Sequence, residues 1–180
     1  MIRGLECKRI TQVAISAALL SGAVACGGSQ SYAVPDTVCG KKVDAKLLGE
    51  LLPSGESLKA NSKNLGANES VCELSVDGTP TLHIDEIKQQ AAVNAAAFAK
   101  SHPGRFANPE KARFGDDSVS ADSAVLSVNS CPHQGKKSFY ILDISLENTK
   151  PAQNAPLRTK LARFAASYLP VGAEAMGCGS

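Results

Sequence analysis

Val71-Cys72-Glu73-Leu74-Ser75-Val76-Asp77-Gly78-Thr79-Pro80-Thr81-Leu82-His83-Ile84 alternates apolar and polar residues on both sides of one turn. Side chains of a strand point to opposite faces in succession. Cys72, Leu74 and Val76 therefore share one face, with Glu73 and Ser75 on the other. Asp77-Gly78 is a tight-turn dipeptide, and Leu82 and Ile84 resume the alternation past Pro80. The stretch predicts an antiparallel hairpin with Cys72 on its buried face. A second hairpin is expected downstream. Ala124, Leu126 and Val128 alternate, then Cys131-Pro132 and Gln134-Gly135 supply the turn. Tyr140, Leu142, Ile144 and Leu146 alternate along its second strand, with Asp143, Ser145 and Glu147 opposite.

Helices are expected around the hairpins. Asp44 is a good N-cap for a short helix with Leu47, Leu48, Leu51 and Leu52 on one face, and Pro53 stops it. From Asp85 to Lys100 an alanine-rich helix is predicted, with Ile87, Ala91, Ala95 and Phe98 at helical spacing, ended by His102-Pro103-Gly104. Asn154 caps a last helix, with Pro156 in its first turn. Leu157, Leu161, Phe164 and Tyr168 form its apolar face, and Arg158, Lys160 and Arg163 face water. Gly172–Ser180 reads as a tail. Pro53–Ser70 and Ser101–Asp122 read as long loops. Together these elements predict an α+β fold. It would be a four-stranded antiparallel sheet from two hairpins, with helices packed on one face and two disulfides.

The N-terminus carries a different message. Arg3, Lys8 and Arg9 precede an apolar run from Ile10 to Val24, which ends in Ala23-Val24-Ala25-Cys26-Gly27-Gly28-Ser29. The run is about 15 residues, which fits an export signal and is short for a membrane span of about 20. A cysteine at the cut point is the mark of a lipoprotein signal, although Ala23 stands where Leu is usual. Ordinary cleavage after Ala23-Val24-Ala25 would break the same bond. The expected organisation is a signal peptide over 1–25, a flexible tether over 26–36 and a single domain over 37–180. Cys26 would carry a diacylglycerol anchor. Without Arg3, Lys8, Arg9 and Glu6, the 19 basic and 17 acidic residues become sixteen of each. A neutral chain with no basic cluster argues against a nucleic-acid partner.

Cys39, Cys72, Cys131 and Cys178 remain in the expected domain. An even count in an exported chain reads as two disulfides, and four cysteines permit three connectivities. Cys39–Cys72 with Cys131–Cys178 is favoured, because each pair joins the start and end of one half of the chain. No pair has CxxC spacing, so zinc and thioredoxin-like chemistry are not expected.

A lipobox, a cysteine before a Leu-rich helix, and a second cysteine opening the hairpin Val71–Gly78 follow in order. An Ala-rich helix, Phe114-Gly115-Asp116 and a last amphipathic helix come after. In this order, over about Thr37 to Leu169, the chain resembles the small cysteine-paired lipoproteins of actinobacteria, many of unknown function. Glu73 stands where an aromatic residue often follows the second cysteine. The resemblance implies a compact α+β domain outside the membrane and brings no catalytic residues.

Catalytic motifs are not found. There is no Gly-x-Ser-x-Gly elbow, phosphate loop or His-Glu-x-x-His helix. His83 is expected to face outward on its strand beside Asp85. His102 lies at a helix end, where an imidazolium complements the helix dipole, and His133 lies in a turn. Asp116, Asp117 and Asp122 lack the alternating ligands of a calcium loop, so no metal and no cofactor are expected. Arg105, Phe106, Arg113 and Phe114 mix charge with aromatics in one segment, the composition of a contact surface. The alternative is that Phe106 and Phe114 cover the core. The expected function is a lipid-anchored, extracytoplasmic binding or sensing module. It would meet an envelope protein or a small ligand. The alternatives are an accessory part of a cell-envelope complex and a wall-associated hydrolase.

Overall fold

The computed structural model describes residues 30–132, 137–148 and 155–178. Residues 1–25, Cys26, His133, the Gln134-Gly135 turn and the Asn154 cap lie outside them. The described elements are β1 (Thr37–Val38), β2 (Lys41–Lys42), α1 (Ala45–Gly49), β3 (Leu58–Gly66), β4 (Glu69–Val76), β5 (Thr79–Gln89) and α2 (Ala95–Ser101). After them come β6 (Glu110–Lys111), β7 (Asp117–Ser120), β8 (Ala124–Ser130), β9 (Phe139–Leu146) and α3 (Ala155–Ala175). Seven strands form one antiparallel sheet in the order β3-β4-β5-β9-β8-β7-β6, and β1 and β2 form a separate pair.

The predicted hairpin is β4–β5, with Asp77 and Gly78 in its turn and both at positive φ. Its inward residues Cys72, Leu74, Leu82 and Ile84 join Val125, Leu142 and Ile144 on the first sheet face. Leu161, Phe164 and Tyr168 of α3 and Leu48 and Leu51 of the α1 region close over them. Asp44 caps α1 by accepting from the backbone N–H groups of Lys46 and Leu47. The second face buries Leu126, Val128, Val119 and Ile141 under Ala95, Ala99 and Phe106. Strand β8 is thus covered on both sides, as its run of buried residues records.

The expected four-stranded sheet is replaced by a seven-stranded one, and the helices occupy both faces. Three features of the chain account for this. The supposed loop Pro53–Ser70 contains β3, an edge strand exposed along nearly its whole length. With no buried face it shows no apolar period, and its place comes from backbone pairing with β4. The expected helix Asp85–Lys100 is strand as far as Gln89, and α2 has only seven residues. Glu86 points into the first-face core, so a buried acid interrupts the apolar alternation. The supposed loop Ser101–Asp122 holds β6 and β7, and in β7 the buried Ser118 and Ser120 hid the strand. The final helix also runs on through Pro170 to Ala175, beyond the expected tail boundary.

Two disulfides are present, Cys39–Cys72 and Cys131–Cys178. The first ties the β1–β2 pair to β4, and the second ties the end of α3 to the end of β8. They are compatible with an extracytoplasmic location, where such bonds persist. Among the described residues, no helix is long and apolar enough to cross a membrane. Of the expected tether, the described part is packed. Gln30 bridges Gly55, its side-chain amide donates to the carbonyls of Gly49 and Leu52, and Tyr32 Oη donates to the Pro53 carbonyl.

Candidate functional site: a polar groove on the second sheet face

Strand register assembles this site. On the second face Glu73 lies beside His83, His83 beside Ser145, and Ser145 beside Ala124. One row along, Asp85 lies beside Asp143, with Val71 and Leu126 flanking them. Helix α2 packs over β7 and β8. Beyond it the face over β4 and β5 is lined by half-buried Val71, Glu73, His83 and Asp85. A groove of about 400 Å³ opens there, between His83, Asp85, Arg105, Ser123, Ser145 and Glu147.

Arg105 comes from the turn after α2. The chain leaves the helix at His102 and curls back, so that Arg105 and Phe106 both donate their N–H to the His102 carbonyl. Phe106 is fully buried and fixes this turn, and the Arg105 guanidinium lies 5.9 Å from its ring centroid. Arg105 Nη2 donates to Asp85 Oδ2 and to Ser145 Oγ, both at 3.3 Å. The same nitrogen stands 2.9 Å from Asp143 Oδ1, but that oxygen accepts no hydrogen bond, so the contact is an ion pair off the N–H direction. Among the described residues Arg105 spends Nη2 alone on side-chain partners, and its side chain is 38% exposed. Burial pushes the Asp143 carboxyl up to about 7, against the pull of Arg105 and with help from the neighbouring Asp85. His83 Nε2 meets Glu73 Oε2 at 3.0 Å.

A serine, an imidazole and a carboxylate in one row invite comparison with a hydrolytic triad. Among the described residues no hydrogen bond joins Ser145 to His83. Ser145 is buried and its hydroxyl accepts from Arg105. In this row the imidazole is paired with Glu73 and the serine hydroxyl with Arg105.

The four residues expected to form one contact surface are divided. Arg105 and Phe106 belong to the second face. Phe114 packs against the first-face core and, with Arg113, lines another groove along Arg158, Ala162 and Arg163 of α3. Phe106 is buried in the second-face core, and Phe114 packs, partly buried, against the first-face core. The acids of the same segment hold backbone in place. Asp117 accepts from Ala95 N–H at the start of α2, and Asp116 from Ser130 N–H. Arg158 and then Asn108 donate to Asp122 and hold its carboxyl below the ordinary range. Among the described residues no group of three His, Cys, Asp or Glu could hold a metal. His102 stacks on Phe98, and its Nδ1 lies 2.9 Å from the Phe98 carbonyl.

Glu73, Asp143 and Ser145 carry no distinguishing signal in the sequence beyond being the polar members of alternating strands. The chain matches no protein-family model, no curated protein and no solved structure.

Proposed function

We propose that this chain is a lipid-anchored, extracytoplasmic binding module, of the kind the actinobacterial lipoproteins exemplify, that takes a small polar ligand in the Arg105 groove. One observation carries the reading. Arg105 is held over the second face by a turn whose Phe106 is buried, with Nη2 bonded to Asp85 and Ser145 and near Asp143, and with its side chain 38% exposed. A guanidinium in this state suits an acceptor group such as a carboxylate, held in forked geometry. Asp85 and Glu147 line the same groove and accept donors. The chemistry fits a small zwitterion, such as an amino acid or a short peptide. Calorimetric titration of the purified domain with amino acids and dipeptides tests it. Saturable heat with at least one member is expected in the wild type and is lost in Arg105→Gln. Absence of heat from the whole series, or binding that survives Arg105→Gln, overturns the reading of this groove.

The anchor part of the reading rests on Cys26 at the end of the apolar run. A diacylglycerol supplies two chains, enough for stable anchoring, where one chain is marginal. Cys26→Ser is expected to move the protein from the membrane fraction to the soluble fraction. Unchanged membrane retention would show that Cys26 is not the anchor.

A further inference from the structure

We infer that the Asp77–Thr79 end of the domain is its membrane-proximal end, with the Arg105 groove on that half of the molecule. The inference rests on the reading of Cys26 as the lipidated residue. Only Gly27, Gly28 and Ser29 separate Cys26 from Gln30. A trans chain advances at most about 3.6 Å per residue, so these four steps reach no further than roughly 14 Å. Gln30 is not free to extend this reach. Its side chain is bonded to Gly49 and Leu52, Ser31 N–H donates to the Gly55 carbonyl at 2.9 Å, and Tyr32 Oη donates to Pro53.

These contacts lie at one end of the sheet. Glu56 and Ser57 donate their N–H groups to the Asp77 carboxylate in the β4–β5 turn. The opposite end carries the β3–β4 turn, where Lys88 N–H meets the Asn68 carbonyl. Strand β5 has eleven residues and spans about 35 Å between the two ends. The anchor's reach is less than half of that. An inverted domain, with the β3–β4 turn nearest the bilayer and the anchored end farthest from it, would need a longer connection.

The surface at the anchored end agrees with an anchor that does the holding. Residues 30–35, 52–57, 76–81 and 146–148 contain no lysine or arginine and three acids, Glu56, Asp77 and Glu147. Such a surface does not bind anionic headgroups by charge. Ser145 at the end of β9, Glu147 just after it and His83 in the first half of β5 belong to this half of the sheet as well.

The chain has no tryptophan, so an introduced one reports its own position. Thr79→Trp and Leu65→Trp place it at exposed positions at the two ends of the sheet. The full lipidated protein is reconstituted into phosphatidylcholine vesicles brominated along the acyl chains near the headgroup. Thr79→Trp is expected to lose most of its emission and Leu65→Trp almost none. Equal quenching of both, or quenching of Leu65→Trp alone, overturns the orientation. A nine-residue Gly/Ser insertion between Ser29 and Gln30 is expected to relieve the quenching of Thr79→Trp, and quenching that persists overturns the argument from reach. A protein that does not sediment with vesicles at all overturns the Cys26 reading, an outcome separate from the other two.

Discussion

Glu86 is the residue where folding and charge meet. It is fully buried and receives Tyr140 Oη at 2.8 Å, Ser70 Oγ at 2.9 Å, Lys41 Nζ at 2.6 Å and Tyr168 Oη at 3.3 Å. A buried charge is tolerable only when its acceptor sites are filled, and here β2, β4, β9 and α3 all contribute a donor. Burial and Glu86 together drive both tyrosines above their ordinary range. Gly172 leaves the space for this cluster, since a Cβ there would overlap Tyr140 Oη and Glu86 Oε1. Gly172→Ala is expected to destabilise by about 1–3 kcal/mol in chemical denaturation, the range for overpacking. Asp143 gives a pH effect of known sign. Its carboxyl titrates near 7 in the fold and near 4 unfolded, so the native state holds the extra proton in between. Its contribution is full below about pH 4, falls as pH rises through 4–7 and is gone by pH 8. The melting temperature is expected to drop from pH 5 to pH 8, and Asp143→Asn to flatten that drop.

Among the elements, α3 carries the most conflict. Pro170 sits inside it and removes one helical hydrogen bond. The position is exposed, so no packing depends on the ring. Pro170→Ala is expected to raise stability by about 1 kcal/mol or more, read as a higher denaturation midpoint. The helix is fastened at its other end by Arg158, which meets Asp122 and Glu110. Legibility in the sequence followed burial contrast. The β4–β5 turn region and the apolar face of α3 each have a wet and a dry side, while β8 and β9 are buried on both sides but alternate Ser127, Asn129, Asp143 and Ser145 with apolar residues, and each can be read. Strand β3 is wet on both sides, β7 buries serines, and β5 buries Glu86, so their periods were silent or misleading. The groove was half visible. Arg105 stands out by its charge, but Asp85 and Asp143 meet it together only because strand register sets them side by side, which no local pattern states. Lys59 and Lys63 on exposed β3 have a local meaning, since charges on an edge strand discourage pairing with other chains.

At the scale of the molecule, the sheet is two meanders joined along one line. β3-β4-β5 and β6-β7-β8-β9 are each built from neighbours in sequence, and eight residue pairs from Leu82↔Leu146 to Gln89↔Phe139 join them. Each meander owns one disulfide, with separations of 33 and 47 residues. In the loop-entropy account each is worth about 4 kcal/mol. Replacing Cys131 and Cys178 together by Ser is expected to lower the unfolding free energy by about that amount, measured in urea, with the β5–β9 seam still formed. The connection between the meanders, Gln90 to Ala92, is exposed. Among the described residues no covalent bond other than the backbone crosses it, because both cystines close on their own side. A protease cut there would therefore yield a complex of two self-contained fragments. It would migrate as one body under native conditions and come apart in denaturant without any reductant. The fold is, in this sense, already a split protein with one peptide link left in place.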